Sequence, residues 1–283
     1  MIKLICLGVF AILLSGISIA QPIKTMTFNI RLDLPQDAEN SWNHREEAVK
    51  DLLSYYHPDI FGIQEGLMHQ VNYIDSCLVN YTFIGVGRDD GELKGEFSAI
   101  FFDTTQFSLL KESTFWLSEY SDSVSIGWDA EYIRICTYGL FEYKSGQKKF
   151  WVFNTHFDNK GEMSREKSTS LILEKIKALN RNDLPLILMG DFNSLPKSKP
   201  IRILKTQLKD AQNLSESEPY GPIGTFTGFN PHEKIVDRID YIFVRKMMVK
   251  SYIHIDDKRK DNYFISDHLP VLSIVEILPA SRQ

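Results

Sequence analysis

Short apolar runs of the kind that form β-strands recur along almost the whole chain of 283 residues. They are rich in Ile, Val, Phe and Tyr, the residue types that pack well on a pleated sheet. A chain with so many such runs has to build its core mainly from sheets. The predicted strands are residues 23–30, 59–64, 81–86, 98–102, 135–143, 150–155, 184–189, 239–244, 248–255 and 271–277.

Three segments have the apolar spacing of helices instead. In residues 42–56, Trp42, Val49 and Leu53 fall on one stripe, and Pro58 follows the segment. Residues 68–79 and 165–179 show similar spacing. The chain opens with strand, helix, strand and helix, and several strands follow in succession. This order predicts an α/β sandwich of two packed, mixed sheets with helices outside, in preference to one doubly wound sheet.

No Pro/Gly/Ser-rich linker, charge block or repeat divides the chain after residue 20, so residues 21–283 are predicted to form a single domain. Hydrophobic residues make up 43% of the chain, which excludes the disordered and fibrous classes. The formal net charge is −5, so no overall positive field is available to hold a polyanion. Binding of long duplex nucleic acid is therefore not expected, and we expect a monomer.

The first 20 residues are predicted to be a signal peptide. Lys3 gives a positive start, residues 4–14 form an apolar core, and Ser18-Ile19-Ala20 places small residues before a cleavage site. The alternative, a membrane anchor, needs about 20 apolar residues, and this run is shorter. We therefore expect an exported protein, periplasmic or secreted, that begins at Gln21, with no later segment able to span a bilayer. Cys6 is lost with the signal, and Cys77 and Cys136 are interpreted as free thiols because each lies in an apolar context.

Polar side chains stand where the predicted strands end or begin. In antiparallel neighbours, opposite strand ends meet at one rim of a sheet, so these side chains are expected to converge in one cleft. The residues are Asn29, Glu65, His156, Asp191 and Asn193 after strands, and Asp240, Asp267 and His268 at or before strand starts.

Each of these residues also has an ordinary structural interpretation, since Asn and Asp are common in turns and a histidine can be part of a core. The joint set points to chemistry, because carboxylate and amide oxygens are the ligands that a hard cation such as Mg²⁺ prefers. Mn²⁺ is the expected substitute. A zinc site needs closer His and Cys spacing than this chain offers.

Six short motifs in this order resemble those of the endonuclease/exonuclease/phosphatase superfamily, whose exported bacterial branch is the nearest match. The motifs are Thr27-Phe28-Asn29-Ile30-Arg31, Ile63-Gln64-Glu65, Asn154-Thr155-His156-Phe157-Asp158, Gly190-Asp191-Phe192-Asn193, Arg238-Ile239-Asp240-Tyr241-Ile242 and Ser266-Asp267-His268-Leu269-Pro270. The resemblance implies a deoxyribonuclease-like, four-layer α/β sandwich with mostly antiparallel sheets. It also implies a metal-dependent hydrolase of phosphate esters, a class that includes nucleases, phosphodiesterases and phosphatases.

Residue chemistry and the resemblance together give each side chain an expected role. Asn29 and Glu65 are expected to hold Mg²⁺, and the resemblance adds Asp267 to that set. Asp191 is expected to orient and deprotonate the attacking water. The Asn193 amide is suited to bind both the water and a phosphoryl oxygen.

The two histidines are expected to face the phosphoryl group. His268 requires a carboxylate on its other ring nitrogen to orient it, and the resemblance assigns that carboxylate to Asp240. His156 is expected to supply a second hydrogen bond, at a position where abasic-site endonucleases carry tyrosine.

Some positions depart from relatives of known type. Arg31 stands where abasic-site endonucleases carry an acid, and the chain has fewer Lys and Arg near the motifs than inositol phosphatases have. Arg134 is the expected phosphate contact, with a surface ion pair as the alternative. Asp158 is interpreted as a turn former rather than as a further ligand.

The sequence therefore predicts a Mg²⁺-dependent phosphoesterase whose substrate class, diester or monoester, is open. The alternative is a catalytically silent binding module on the same fold, since a fold alone does not fix an activity. The intact set of Glu65, Asp191, Asn193 and His268 favours the enzyme. The acidic composition favours a small phosphate-ester substrate over a long duplex.

Overall fold

The computed structural model describes residues 22–279, so the predicted signal peptide and Cys6 lie outside the described residues. The strands, in chain order, are β1 (Pro22–Asn29), β2 (Ile60–Gln64), β3 (Tyr81–Ile84), β4 (Ile100–Asp103), β5 (Phe107–Trp116), β6 (Ile135–Tyr143), β7 (Lys149–His156), β8 (Leu186–Asp191), β9 (Lys209–Asp210), β10 (Asp240–Arg245), β11 (Met247–His254) and β12 (Val271–Ile277). The helices are α1 (Trp42–Tyr56), α2 (Met68–Cys77), α3 (Glu162–Leu179), α4 (Lys199–Leu204) and α5 (Ala211–Leu214), and a 3-10 helix spans Pro35–Asn40. No helix in residues 22–279 is both long and apolar enough to cross a membrane.

The strands form two six-stranded sheets. The first has the order β11-β12-β1-β2-β4-β3, and the second has the order β5-β6-β7-β8-β10-β9. One pair in each sheet is parallel, β1 with β2 and β7 with β8, and the other neighbours are antiparallel. The predicted mixed, mostly antiparallel sandwich is confirmed.

Three apolar clusters account for the layers. Inward side chains of both sheets, such as Ile60 and Val152, form the central cluster between them. The outer face of the first sheet packs against α1 and α2, and the outer face of the second packs against α3 and α4. Successive residues of a strand point to opposite faces, and in β2 Ile60 enters the central cluster while Phe61 enters the outer one. The order is therefore helix, sheet, sheet, helix.

A polar contact joins the two sheets where β2 and β7 face each other. The Gln64 amide donates to Asn154 Oδ1 at 2.6 Å, and the Asn154 amide donates to the carbonyls of Ile63 and Ala99, both at 2.8 Å. Gly62 leaves the space for Asn154, because a Cβ there would lie 2.5 Å from its side chain. These buried hydrogen bonds fix the ends of two strands that carry site residues.

Most differences from the predicted elements fall at boundaries, but one long strand, β5, was not predicted. β5 is an edge strand whose central residues, including Lys111 and Glu112, are exposed, and its pairing with β6 is interrupted by a bulge between Leu109 and Lys111. An edge strand with a solvated centre lacks the alternation by which a strand is recognised in sequence. The short elements β9, α4 and α5 were not predicted either.

Both cysteines of the described region are free, as expected. Cys136 is buried, and burial raises the pKa of its thiol. Cys77 is only partly buried.

Gly190→Ala is expected to lower the free energy of unfolding by roughly 3 kcal/mol or more. Gly190 has φ +149°, and a Cβ there would lie 2.0 Å from the Thr155 carbonyl oxygen on the neighbouring strand. Chemical denaturation measures the effect. Gly146→Ala is the control, because nothing lies within 4 Å of the added methyl group. Equal unfolding midpoints for the two variants would contradict this account of Gly190.

Candidate active site

Strand register places the predicted site residues along one rim of each sheet. His156, the last residue of β7, pairs with Asp191, the last residue of β8, and Asp191 pairs with Asp240, the first residue of β10. In the first sheet Asn29 ends β1 opposite Gln64, and Glu65 follows directly. The side chains from both rims meet, as the sequence predicted.

Asp191 lies at the centre of this cleft and is 1% exposed. Its Oδ2 accepts a hydrogen bond from the Asn29 amide at 3.1 Å and lies 3.4 Å from His156 Nε2 and 3.7 Å from His268 Nε2. Its Oδ1 accepts a hydrogen bond from the backbone N–H of Asn193 at 2.8 Å. The carboxylate therefore forms the floor of the cleft, and three other site residues point at one of its oxygens.

The surroundings of Asp191 change its acidity. Burial raises the pKa of its carboxyl, the nearby Asp240 raises it further, and His268 and two hydrogen bonds only partly oppose this, so that the pKa reaches about 7. A carboxyl with such a pKa can accept and release a proton near neutral pH. This suits the role of general base predicted for Asp191.

His268 makes the predicted hydrogen bond with Asp240. Its Nδ1 lies 2.8 Å from Asp240 Oδ2, and Thr225 Oγ1 donates to the same oxygen at 2.6 Å. Burial lowers the pKa of His268, but Asp240 and Asp191 outweigh it and hold the pKa well above its usual value. The ring is thus fixed by Asp240 on one side and turns Nε2 toward Asp191.

His156 has the opposite electrostatic environment. Arg134 Nη1 lies 2.8 Å from its Nδ1 and 3.1 Å from its Nε2. Burial lowers the pKa of His156 most, and Arg134 lowers it further, so the imidazole is neutral near pH 7. The amide of Asn193 lies 3.2 Å from His156 Nε2 and donates to the Phe157 carbonyl at 2.9 Å. Arg134 is buried at the site rather than in a surface ion pair.

The predicted metal ligands lie in the same cleft but are not equally placed. Glu65 Oε1 accepts a hydrogen bond from the Asn29 amide at 3.0 Å, and Oε2 accepts one from the backbone of Leu32 at 3.1 Å. Asp267 instead faces Arg31, with Oδ2 3.5 Å from Arg31 Nη1. Its role as a ligand stays a prediction.

The donor set nevertheless suits a hard divalent cation. One ligand atom each from Glu65, His156 and Asp191 lies within 4.8 Å of the others, and a second such group comprises Asp191, Asp240 and His268. Burial is the main influence on the pKa of Glu65 and opposes ionisation, yet His268 and the two hydrogen bonds hold that pKa below its usual value. Ionised, buried carboxylate oxygens are ligands that Mg²⁺ and Mn²⁺ accept.

Two site residues adopt left-handed backbone conformations, which are uncommon for residues other than glycine. Glu65 has φ +64° and Asn193 has φ +44°. Such conformations persist where the surrounding structure fixes them, and they cluster at functional sites.

Sequence reasoning missed the carboxylate behind His156. Glu96 Oε2 lies 2.7 Å from Arg88 Nη1, 3.7 Å from Arg134 Nη1 and 3.8 Å from His156 Nδ1. Glu96 comes just before the predicted strand 98–102, as Asp267 comes before β12. The criterion that selected Asp267, a polar residue next to a predicted strand, would therefore have selected Glu96 as well. Thr225, which lies in a loop, offered no such signal.

Asp158 has the predicted turn role. Its Oδ1 accepts hydrogen bonds from the backbone of Lys160 and Gly161 at 3.0 and 2.7 Å, and its Oδ2 accepts two from the backbone of Glu131 and Tyr132 at 3.1 Å. It thereby links the segment before α3 to the loop that carries Arg134.

Known proteins resemble this chain in sequence and in fold. The model of the endonuclease/exonuclease/phosphatase family matches residues 26–268. A mannosyl-6-phosphatase from Bacteroides thetaiotaomicron is similar, with a TM-score of 0.86 and 37% identity over 89% of this chain and 99% of that one. An endonuclease/exonuclease/phosphatase family protein from the same species has a TM-score of 0.87 and 36% identity over 91% of this chain and 98% of that one.

A more distant relative is an uncharacterised protein, L388, of Acanthamoeba polyphaga mimivirus, 28% identical over 83% of this chain and 92% of its own length. The family match spans all the predicted site residues, from Asn29 to His268. The chain belongs to the endonuclease/exonuclease/phosphatase family.

Proposed function

We propose that this protein is a phosphatase that hydrolyses the phosphate monoester of a small sugar and depends on a divalent metal, Mg²⁺ or in its place Mn²⁺. The observation that carries the proposal is the buried Asp191 carboxylate, with its raised pKa, in contact range of two histidines and an amide. Members of this family hydrolyse phosphate esters. The similar mannosyl-6-phosphatase supports a sugar phosphate as the substrate.

The proposed chemistry begins with a water molecule above Asp191. Asp191 orients the water and takes its proton as the water oxygen attacks phosphorus. His268 and Asn193 hydrogen-bond the phosphoryl oxygens, on which negative charge must be stabilised, and Arg134 adds a positive charge beside His156. The ester P–O bond breaks, the leaving oxygen takes a proton from solvent, and Asp191 returns its proton to solvent. The sugar alcohol and inorganic phosphate then leave.

Glu65 would hold the metal, together with Asp267 and Asn29 as the other predicted ligands. Asn29 would act through Oδ1, which accepts a hydrogen bond from the Arg31 backbone N–H at 3.0 Å, while its NH₂ group faces Glu65 and Asp191. When bound, such an ion acts as a Lewis acid toward the phosphoryl group. The acids Glu65, Asp191 and Asp267 are buried together, and burial and Glu65 raise the pKa of Asp267 although His268, Arg31 and Arg45 oppose this. A bound cation would favour their ionised forms.

A substrate panel tests the proposal. The purified protein with Mg²⁺ is expected to release phosphate from mannose 6-phosphate and from p-nitrophenyl phosphate, and to cleave bis(p-nitrophenyl) phosphate and duplex DNA far more slowly. A faster reaction with the diester would overturn the assignment as a monoesterase. Failure to hydrolyse any ester would overturn the enzyme proposal itself and favour a silent binding module.

We also propose that the protein is exported and acts as a monomer after cleavage between Ala20 and Gln21. The support is the charge, apolar core and small residues of the first 20 positions. Expression of the full chain followed by N-terminal sequencing of the exported fraction is expected to read from Gln21. A product that retains Met1 and stays inside the cell would contradict it.

A further inference from the structure

We propose that a pocket beside Asn193 binds the sugar ring of the substrate; this rests on the proposed phosphatase function. The pocket has a volume of about 420 Å³ and lies between the first turn of α3, the loop after β8 and the start of α4. That volume is within the range of small-molecule sites. It is called the Asn193 pocket below.

Asn193 connects this pocket to the catalytic centre. Asn193 lines the pocket, its side-chain amide lies 3.2 Å from His156 Nε2, and its backbone N–H donates to Asp191 Oδ1. Asp191 is the floor of the cleft, so a water held there attacks phosphorus from below. The attacking and leaving oxygens lie roughly in line, so the ester oxygen faces the cleft mouth and its sugar reaches the rim. The Asn193 pocket is the neighbouring space, because Asn193 belongs both to its lining and to the cleft.

The positive and negative charges of the side chains that line the pocket are equal in number. Glu162 and Glu166 carry two negative charges, and Arg165 and Lys199 carry two positive charges. Glu166 pairs with Lys199 at 2.6 Å, and Arg165 donates to the Asp158 carbonyl at 3.0 Å. Glu162 is exposed and, within residues 22–279, has no hydrogen-bond or ion-pair partner, so its carboxylate is available to a ligand in the pocket.

Two serines of the pocket wall also lack partners. The hydroxyls of Ser194 and Ser198 are buried, and neither has a hydrogen-bond partner among the described residues. Ser194 is only 4% exposed. Buried polar groups normally find a partner, and a ligand that carries several hydroxyls offers both donors and acceptors.

The lining also disfavours other phosphate esters. None of the residues that line the pocket is aromatic, so it lacks the stacking surface that recognises a nucleobase. Its net charge is zero, so it offers no excess positive charge to a second phosphate. A neutral polyhydroxylated ring is the occupant that suits both facts.

Glu162→Gln tests the proposal, with Glu174→Gln as the control further along α3, because that side chain is also exposed but does not line the pocket. Two substrates are compared, mannose 6-phosphate and p-nitrophenyl phosphate, which has no sugar. Loss of a charge-assisted hydrogen bond is expected to lower the ratio of kcat/KM for the first to kcat/KM for the second roughly tenfold or more. Glu174→Gln is expected to leave that ratio at the wild-type value.

An unchanged ratio in Glu162→Gln would overturn the sugar subsite even though both substrates are hydrolysed. If the wild-type protein hydrolyses neither substrate, the proposed function fails, and the pocket is tested by binding alone. Calorimetric titration with mannose 6-phosphate is then expected to show weaker binding to Glu162→Gln than to Glu174→Gln. Equal binding to the two variants would overturn the pocket proposal separately.

Discussion

Asp191→Asn is expected to lower kcat by roughly 10²-fold or more while leaving Mg²⁺ affinity largely intact. The substitution keeps the size and shape of the side chain, and it replaces one of the two oxygens that accept hydrogen bonds from the Asn29 amide and the Asn193 backbone by an NH₂ group. It removes the group whose pKa of about 7 suits it to take a proton from water. The loss should therefore persist at every metal concentration.

Glu65→Gln provides the contrast, because a charged ligand becomes a weaker neutral one. Its activity is expected to fall at low Mg²⁺ and to recover partly at high Mg²⁺. Titration of activity with metal for both variants side by side measures the difference, and calorimetry reports Mg²⁺ affinity directly. Glu65 and Asp191 share one cluster with His156, so Asp191 as a second metal ligand is the competing role. Parallel recovery of the two variants would establish that competing role.

Asp240→Asn is the second substitution with a large expected effect, a fall in kcat of roughly 10²- to 10⁴-fold. Asp240 orients His268 through the 2.8 Å contact with Nδ1 and raises the pKa of its imidazole. An amide in its place removes the charge and can present N–H to the ring, so His268 loses both its orientation and its positive charge.

The pair can be tested as a unit. If Asp240 acts only through His268, the double variant Asp240→Asn/His268→Gln should be about as slow as His268→Gln alone, because residues that act together are not additive. Thermal unfolding of each variant checks that the fold is intact. Losses that add in the double variant would show that Asp240 acts independently of His268.

The sequence could predict that the site residues lie close together, because most of them stand at the ends of strands. Asn29, His156 and Asp191 each close an apolar run, and a sheet aligns its strand ends whatever the loops do. The sequence pattern thus gave both the two-sheet fold and most of the cleft. The resemblance added Asp267 and the partnership of Asp240 with His268.

Contacts made by loops could not be read in the same way. Thr225 lies in a loop, and Glu162 begins α3. Neither is at the end of an apolar run, and their positions beside Asp240 and in the Asn193 pocket depend on how the preceding loops fold back. The sequence left open whether Arg134 contacts the phosphate or forms a surface ion pair, because burial of a charge depends on partners such as His156 and Glu96. β5 was missed because its exposed centre hides its periodicity.

Metal dependence of phosphate release is the most direct test of the central proposal that this cleft is a divalent-metal phosphoesterase site. Purified protein is freed of metal with a chelator, and phosphate release from mannose 6-phosphate is then followed as Mg²⁺ is added. Release is expected to be absent without metal, to rise to saturation with Mg²⁺, and to disappear again when EDTA exceeds the metal. Undiminished release in excess EDTA would contradict the proposal.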